Sequence, residues 1–183
     1  MIRSVAFWVS DPGILKSLIS FPWNAALSPI STTKIPIHVE TTGLRGQLDA
    51  TVADGALVPG GTTTGSIEIE VDRMKSGNVL YDRELERRLE ARKYPFIRGS
   101  VREVTPLGDG QRYRVLGQLE FHGVARPVEG EVRLRVVDER TLEIEGERVF
   151  DLRDYGLEPP RILMLKVYPE VRVRAQVIAE QEP

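Results

Sequence analysis

The sequence predicts an all-β domain, a barrel or sandwich of about eight or nine antiparallel strands. Three observations carry this. Apolar and polar residues alternate with period two through most of the chain, the mark of half-buried strands. The links between the later strands are short and turn-like, "TPLGDG", "HGVA" and "DER", as in an antiparallel meander. Three consecutive strands place a glycine in mid-face, Gly117, Gly130 and Gly146, where a sheet curling into a tube needs bends or room.

The elements follow in order. Residues 2–9 alternate through Ile2, Val5, Phe7 and Val9. "SDPGILKSLIS" reads as a short helix, with Asp11 as cap and Pro12 at the first helical position. "FPWNAALSPISTT", with prolines at 22 and 29, reads as irregular. Strands resume at "KIPIHVET" and "LRGQLDATV", followed by a glycine- and proline-rich loop, "GALVPGGTTTG". "SIEIEVDRM" puts Ile67, Ile69 and Val71 on one face and Glu68, Glu70 and Asp72 on the other. The convincing helix spans about 82–92, capped by Asp82, with Leu85 and Leu89 four apart and Pro95 as its stop. After it come "FIRGSVREV", "QRYRVLGQLEF", "RPVEGEVRLRVV", "TLEIEGERVFDL" and "ILMLKVYPEVRVRAQVIAE".

Parity assigns the faces. Tyr113, Val115, Gly117, Leu119 and Phe121 share one, as do Val128, Gly130, Val132, Leu134 and Val136. Leu142, Ile144, Gly146, Arg148 and Phe150 share a face in the next strand, and Val171, Val173, Ala175 and Val177 align in the last. Arg148 is a charge on an apolar face and needs a carboxylate, water or a guest.

The chain's 183 residues fit one domain, 1–183, able to build a core without disulfides. It has no cysteine, which removes thiol nucleophiles, thiolate metal sites and iron–sulfur clusters. The net charge of −2 gives no global field for nucleic acid. Arg87, Arg88, Arg92 and Lys93 are offset by Glu84, Glu86 and Glu90. No apolar run is long enough for a transmembrane helix, and the broken N-terminal run makes a poor signal peptide, so a cytoplasmic location is expected. His38 and His122 lie outside any zinc pattern, and no phosphate-loop, dinucleotide or nucleophile-elbow motif occurs. No metal and no cofactor are expected.

Three segments resemble the YceI-like family. They are the stretch containing Gly77, Asn78, Asp82, Arg83, Lys93, Tyr94 and Pro95; the hairpin "GQLEFHGVARPV" with Gly117, Leu119, His122, Gly123, Val124, Arg126, Pro127 and Val128; and "FDLRDYGLE" with Arg153, Asp154, Tyr155 and Gly156. Order and spacing agree over residues 35–179. The sequence departs from the pattern in its segment 1–34, and at Gly99, where an aromatic is frequent. The resemblance implies a lipocalin-like antiparallel β-barrel of about eight strands with a helix near one end; the departing segment 1–34 is read from its residues as irregular or helical. It implies a polyisoprenoid or related long-chain lipid as ligand, no catalysis, and a homodimer.

On this reading Phe96, Tyr113, Phe121, Leu134, Ile144 and Phe150 line the tube, and Arg148 meets the polar head of the guest. Apolar area must supply the affinity. At about 0.8 kcal/mol per buried CH₂ against an association cost of roughly 4–15 kcal/mol, a useful ligand buries about ten carbons or more. Two other readings stay open. One is an enzyme on a barrel scaffold, using His122 or a carboxylate such as Asp49. The other is a filled-core interaction module that docks through "GILKSLISFPWNAAL", with Phe21 and Trp23.

Overall fold

A computed structural model gives the fold. It describes residues 3–9, 18–25, 33–41, 43–53, 56–58, 63–138, 140–158, 161–162, 165–167 and 169–181. In chain order these form β1 (Arg3–Val9), β2 (Leu18–Ala25), β3 (Thr33–Thr41), β4 (Leu44–Ala53), β5 (Ala56–Leu57), β6 (Thr64–Glu70), β7 (Met74–Lys75), α1 (Val79–Arg88), β8 (Phe96–Pro106), β9 (Arg112–Phe121), β10 (Val124–Val136), β11 (Thr141–Asp151), β12 (Arg161–Ile162), β13 (Leu165–Val167) and β14 (Glu170–Gln181). The all-β expectation holds, with one α-helix among the described residues.

The sheet curls on itself. Its antiparallel order runs β1, β4, β6, β8, β9, β10, β11, β14, and β14 returns to β1. That return is short, at Phe7 opposite Gln181 and Trp8 opposite Glu180. The other end of β14 pairs with β2 instead, around Ile19. Beyond β2 lies β3, which reaches β7 at two rungs. β8 to β11 and then β14 form the expected meander, while the first strands are interleaved rather than sequential.

Parity separates oil from charge. The outer face carries cross-strand ion pairs: Arg45 reaches Glu68 at 3.2 Å and Glu70 at 3.0 Å, Arg98 reaches Glu68 at 2.8 Å, and Glu147 holds Arg172 and Arg174 at 2.7 Å each. Such exposed pairs set register more than they add stability. The inner face forms two clusters. One gathers Leu44, Ala50, Leu57, Tyr113, Leu134, Leu142 and Ala179. The other gathers Val39, Val71, Met74, Leu89, Leu157 and Val171. Ile69 touches both.

Three local expectations are corrected. The helix runs over 79–88, because Asn78 caps it: its Oδ1 accepts from the Leu80 N–H at 2.9 Å and the Tyr81 N–H at 3.4 Å. Asp82 accepts instead from the Ser76 N–H and hydroxyl, both at 2.6 Å. Burial opposes its ionisation, yet those two bonds and the Lys75 charge outweigh burial and hold its pKa below the ordinary value. Finally, Leu18–Ala25 is a strand, where the end of a helix and an irregular stretch were expected. Partners on both sides supply hydrogen bonds that local propensity does not foresee. Pro22 stands opposite Pro36, so the two missing donors fall on one rung. Asp11 and Pro12 lie outside the described residues.

Two of the mid-face glycines behave in opposite ways. A Cβ on Gly117 would sit 2.2 Å from the Ser100 carbonyl oxygen, beside the bulge between Val101 and Glu103. A Cβ on Gly130 would meet nothing within 4 Å. Gly117→Ala should therefore cost about 1–3 kcal/mol in denaturant unfolding, while Gly130→Ala should be neutral or stabilising by up to about 1 kcal/mol. A depressed carboxyl pKa gives stability that is present above the unfolded value, about 3.9 for Asp, and is lost as pH falls through the folded value. Asp82→Asn should lower the unfolding midpoint at pH 7, and the deficit should close in acid; a deficit constant from pH 7 to pH 2 would contradict the assignment.

Candidate functional site

On the wall made by β9, β10, β11 and β14 the two clusters do not meet. The inner-face residues between them are Val115, Gly117, Leu119, Arg126, Val128, Gly130, Gly146, Arg148, Phe150 and Ala175. Of these, Gly117 is buried, Arg126 is exposed and the rest are half-buried. Apolar side chains that point into a barrel yet stay partly wet border space rather than neighbours. Gly130 and Ala175 contribute no bulk to this band, and Gly146 lies beside Val132, whose Cγ1 a Cβ there would meet at 3.3 Å. On the opposite wall Ile67, also inner-facing, is 39% exposed. Gly46 and Gly99 flank it, so neither neighbouring strand covers it. Ile67 leans over Gly99, where a Cβ would lie 2.8 Å from its Cγ1.

Arg148 projects into the band. Its guanidinium lies over the Phe150 ring, 5.4 Å from the centroid. Val173 is its cross-strand neighbour. Among the described residues it has no carboxylate partner. The buried Tyr155 feels its charge, which partly offsets the burial that raises the phenol pKa.

The six residues expected to line the tube, and Arg148 expected at the head group, divide into four groups. Tyr113, Leu134 and Ile144 belong to the first cluster, and the Tyr113 hydroxyl ties β5 down, accepting from the Leu57 N–H and donating to the Gly110 carbonyl, both at 3.2 Å. Phe121 packs at the second cluster against Tyr155, ring centroids 5.5 Å apart. Arg148 and Phe150 stand in the open band. Phe96 is a correction: it pairs with Glu70 on the outer face, between the guanidinium groups of Arg45 and Arg98 at 5.8 and 5.0 Å. Strand β8 begins there, and parity puts Ile97 rather than Phe96 inside. Val128, Gly130 and Ala175 were missed as lining residues; their parity was readable, but the space in front of them was not.

The three motifs meet at the end of the barrel that α1 covers. His122 and Gly123 form the β9–β10 turn with φ of 51° and 74°. The Tyr94 ring lies over His122, centroids 4.4 Å apart. His122 Nδ1 lies 3.3 Å from the Tyr155 carbonyl oxygen, to which it can only donate, since a carbonyl can only accept. Its Nε2 is buried without a hydrogen-bond partner, 3.6 Å from Glu90 Oε2. Arg126 Nε–H donates to the Asp154 carbonyl at 3.1 Å. Asp49, the other residue weighed for acid–base work, is on the outer face of β4, whose inner positions are Leu48 and Ala50. Among the described residues no group of three or more His, Cys, Asp or Glu side chains could hold a metal ion. A concavity of about 640 Å³ lies over Gly46, Ile67 and Gly99, where β4, β6 and β8 meet, and is rimmed by Arg45, Gln47, Ser66, Glu68, Arg98, Ser100, Gln118 and Glu120.

Comparison with known proteins places this geometry in context. The sequence profile described as YceI-like domain matches residues 24–179, beginning ahead of the resemblance read at 35–179. BcnA of Burkholderia cenocepacia superposes with a TM-score of 0.69 at 17% identity, over 88% of this chain and 95% of that one. A polyisoprenoid-binding domain from Saccharophagus degradans, implicated in plant cell wall breakdown, superposes with a TM-score of 0.70 at 13% identity, over 97% and 99%. The YCEI protein of Campylobacter jejuni gives 0.68 at 13% identity, over 87% and 93%. The comparison with curated proteins gave no match.

The turn generates a test of the motif cluster. A Cβ on Gly123 would lie 2.6 Å from Tyr94 Cε1, and its φ of 74° disfavours any side chain. Gly123→Ala should cost about 1–3 kcal/mol. Tyr94→Ala should remove part of that cost in a double-mutant cycle; fully additive losses would show that ring and turn act independently.

Proposed function

The chain belongs to the YceI-like domain family, and on that premise we propose that it binds a long-chain amphiphilic lipid, a polyisoprenoid, quinone or fatty-acid derivative, along the inner wall of the barrel, and carries or stores it without catalysis. The observation that carries the reading is the space in front of Gly130, bordered by half-exposed apolar side chains. Water gains little from such a surface, whereas an alkyl or isoprenyl chain covers it. The likeness to a polyisoprenoid-binding domain supports the ligand class. Arg148, with no carboxylate partner among the described residues, supplies a polar anchor for a head group. A polar substrate would need several converging groups to orient it. Cytoplasmic residence and a homodimer belong to the same proposal, and fractionation and sedimentation test them.

Among the described residues no helix is long and apolar enough to cross a membrane. In this reading His122 is a structural residue of the β9–β10 turn: its Nδ1–H is engaged by a backbone carbonyl, it sits under Tyr94, and its Nε2 is buried near Glu90.

Organic extraction of the purified protein followed by mass spectrometry tests the proposal directly. A co-purifying or titratable long-chain lipid is expected; a protein that takes up none overturns it. Gly130→Trp should fill the space and reduce uptake at least tenfold with the fold intact. Arg148→Ala should weaken an anionic amphiphile by roughly 10–100-fold, the loss of one charge-assisted contact of about 1.5–3 kcal/mol, and a neutral one far less. Equal losses for both would remove the head-group role.

A further inference from the structure

The first turn of α1 turns its apolar side chains away from the protein. Val79 is 65% exposed and Leu80 72%. This is not fraying, because Asn78 caps both Leu80 and Tyr81. The opposite side of the helix is anchored: Leu89 is buried in the second cluster and Leu85 packs on it. Helical spacing puts Arg83 and Arg87 on the same outward face as Val79 and Leu80. Arg87 is 68% exposed while pairing with Glu84. Arg83 is exposed and has no carboxylate partner among the described residues. Residues 75–93 hold six basic side chains (Lys75, Arg83, Arg87, Arg88, Arg92, Lys93) and four acidic ones (Asp82, Glu84, Glu86, Glu90), a balance of +2 in a chain of net charge −2.

We propose that the Val79–Leu80 turn, with Arg83 and Arg87 beside it, is a docking surface for an anionic lipid bilayer. Two aliphatic side chains held proud of the surface enter the acyl boundary, and two guanidinium groups, one and two turns on, stay at head-group level. The charge balance selects the occupant: a bilayer rich in anionic lipid complements a segment of net charge +2 in a chain of net charge −2, its Lys75, Arg87, Arg88 and Lys93 paired with Glu84, Glu86 and Glu90 and its Arg83 left without a carboxylate partner among the described residues. Neither signal alone suffices, since a small apolar insertion and a weak charge excess are each marginal and stable attachment takes both. The same helix closes the end of the barrel through Leu85 and Leu89, next to Phe121. Docking there brings the lipid source beside the interior. In this respect the inference rests on the lipid-binding proposal, but the docking itself is measured without any bound amphiphile.

Co-sedimentation of the whole protein with vesicles of phosphatidylcholine alone, or mixed with phosphatidylglycerol, is the test. Binding to the mixed vesicles is expected, falling severalfold in high salt. The double variant V79E/L80E should reduce it at least tenfold, and R83Q about threefold. These positions are exposed, so unfolding midpoints should stay near wild type and the fold is checked alongside. Absence of vesicle binding overturns the proposal, as does equal binding by V79E/L80E. Loss of a homo-oligomer on sizing, with no vesicle association in the wild type, also overturns it and assigns the turn to a second copy of this chain. Uptake of a soluble long-chain amphiphile by V79E/L80E separates the two proposals: unchanged uptake leaves the barrel reading intact, and vesicle binding by a wild type that takes up no amphiphile leaves only the docking surface.

Discussion

Strand parity in a curled antiparallel sheet is the constraint on which the rest depends. Once β1 touches both β4 and β14, every second side chain must point at the others across a shared interior. The sequence obeys this with alternating apolar residues inside and arginine–glutamate ladders outside. A slip of one residue in any strand would exchange the two faces, burying unpaired charge and exposing the oil. The ladders are weak as sources of stability, but they penalise such a slip.

Within that constraint the interior is filled unevenly. Large side chains gather at the two ends, where Tyr113, Leu142, Val71 and Val39 are almost wholly buried. Between them the wall is thin, because Gly130, Gly146 and Ala175 lie side by side or nearly so on three neighbouring strands. Glycine plays two separate roles in this wall. At Gly117 it lets the Ser100 backbone come close at a bulge, which bends the sheet. At Gly130 it leaves volume. The bend gives the barrel its shape, and the missing side chains give it room.

One end of the barrel is fastened by contacts that are distant in sequence. Tyr94 follows the helix, His122 and Gly123 make a hairpin turn, and Tyr155 closes the short turn after β11. The histidine joins them, stacked under one tyrosine and bonded to the backbone of another. Glu90, itself held at a φ of 47°, points its carboxylate toward the same ring. These motifs therefore act as a structural clasp beneath α1. The helix they hold has two working faces, leucines toward the barrel and an apolar, arginine-flanked turn toward solvent.

Alternation, turn residues and mid-strand glycines were legible in the sequence because each is local: period two, a His-Gly pair, a residue without a side chain. They determined the all-β class, the β8–β11 hairpins, the inward parity of Arg148 and Phe150, and, through the three motifs, the family. What a residue meets across the sheet is not local, and only the tertiary structure decided it. Parity could not say that Tyr113 and Leu134 pack solidly while Phe150 stands beside open space, since that depends on which strands curl over them. It could not say that β8 starts with Phe96 facing out, that Asn78 rather than Asp82 caps the helix, or that Leu18–Ala25 is drawn into a sheet between β3 and the far strand β14. Two glycines identical on paper became a contact and a void because a backbone lies in front of one and nothing lies in front of the other.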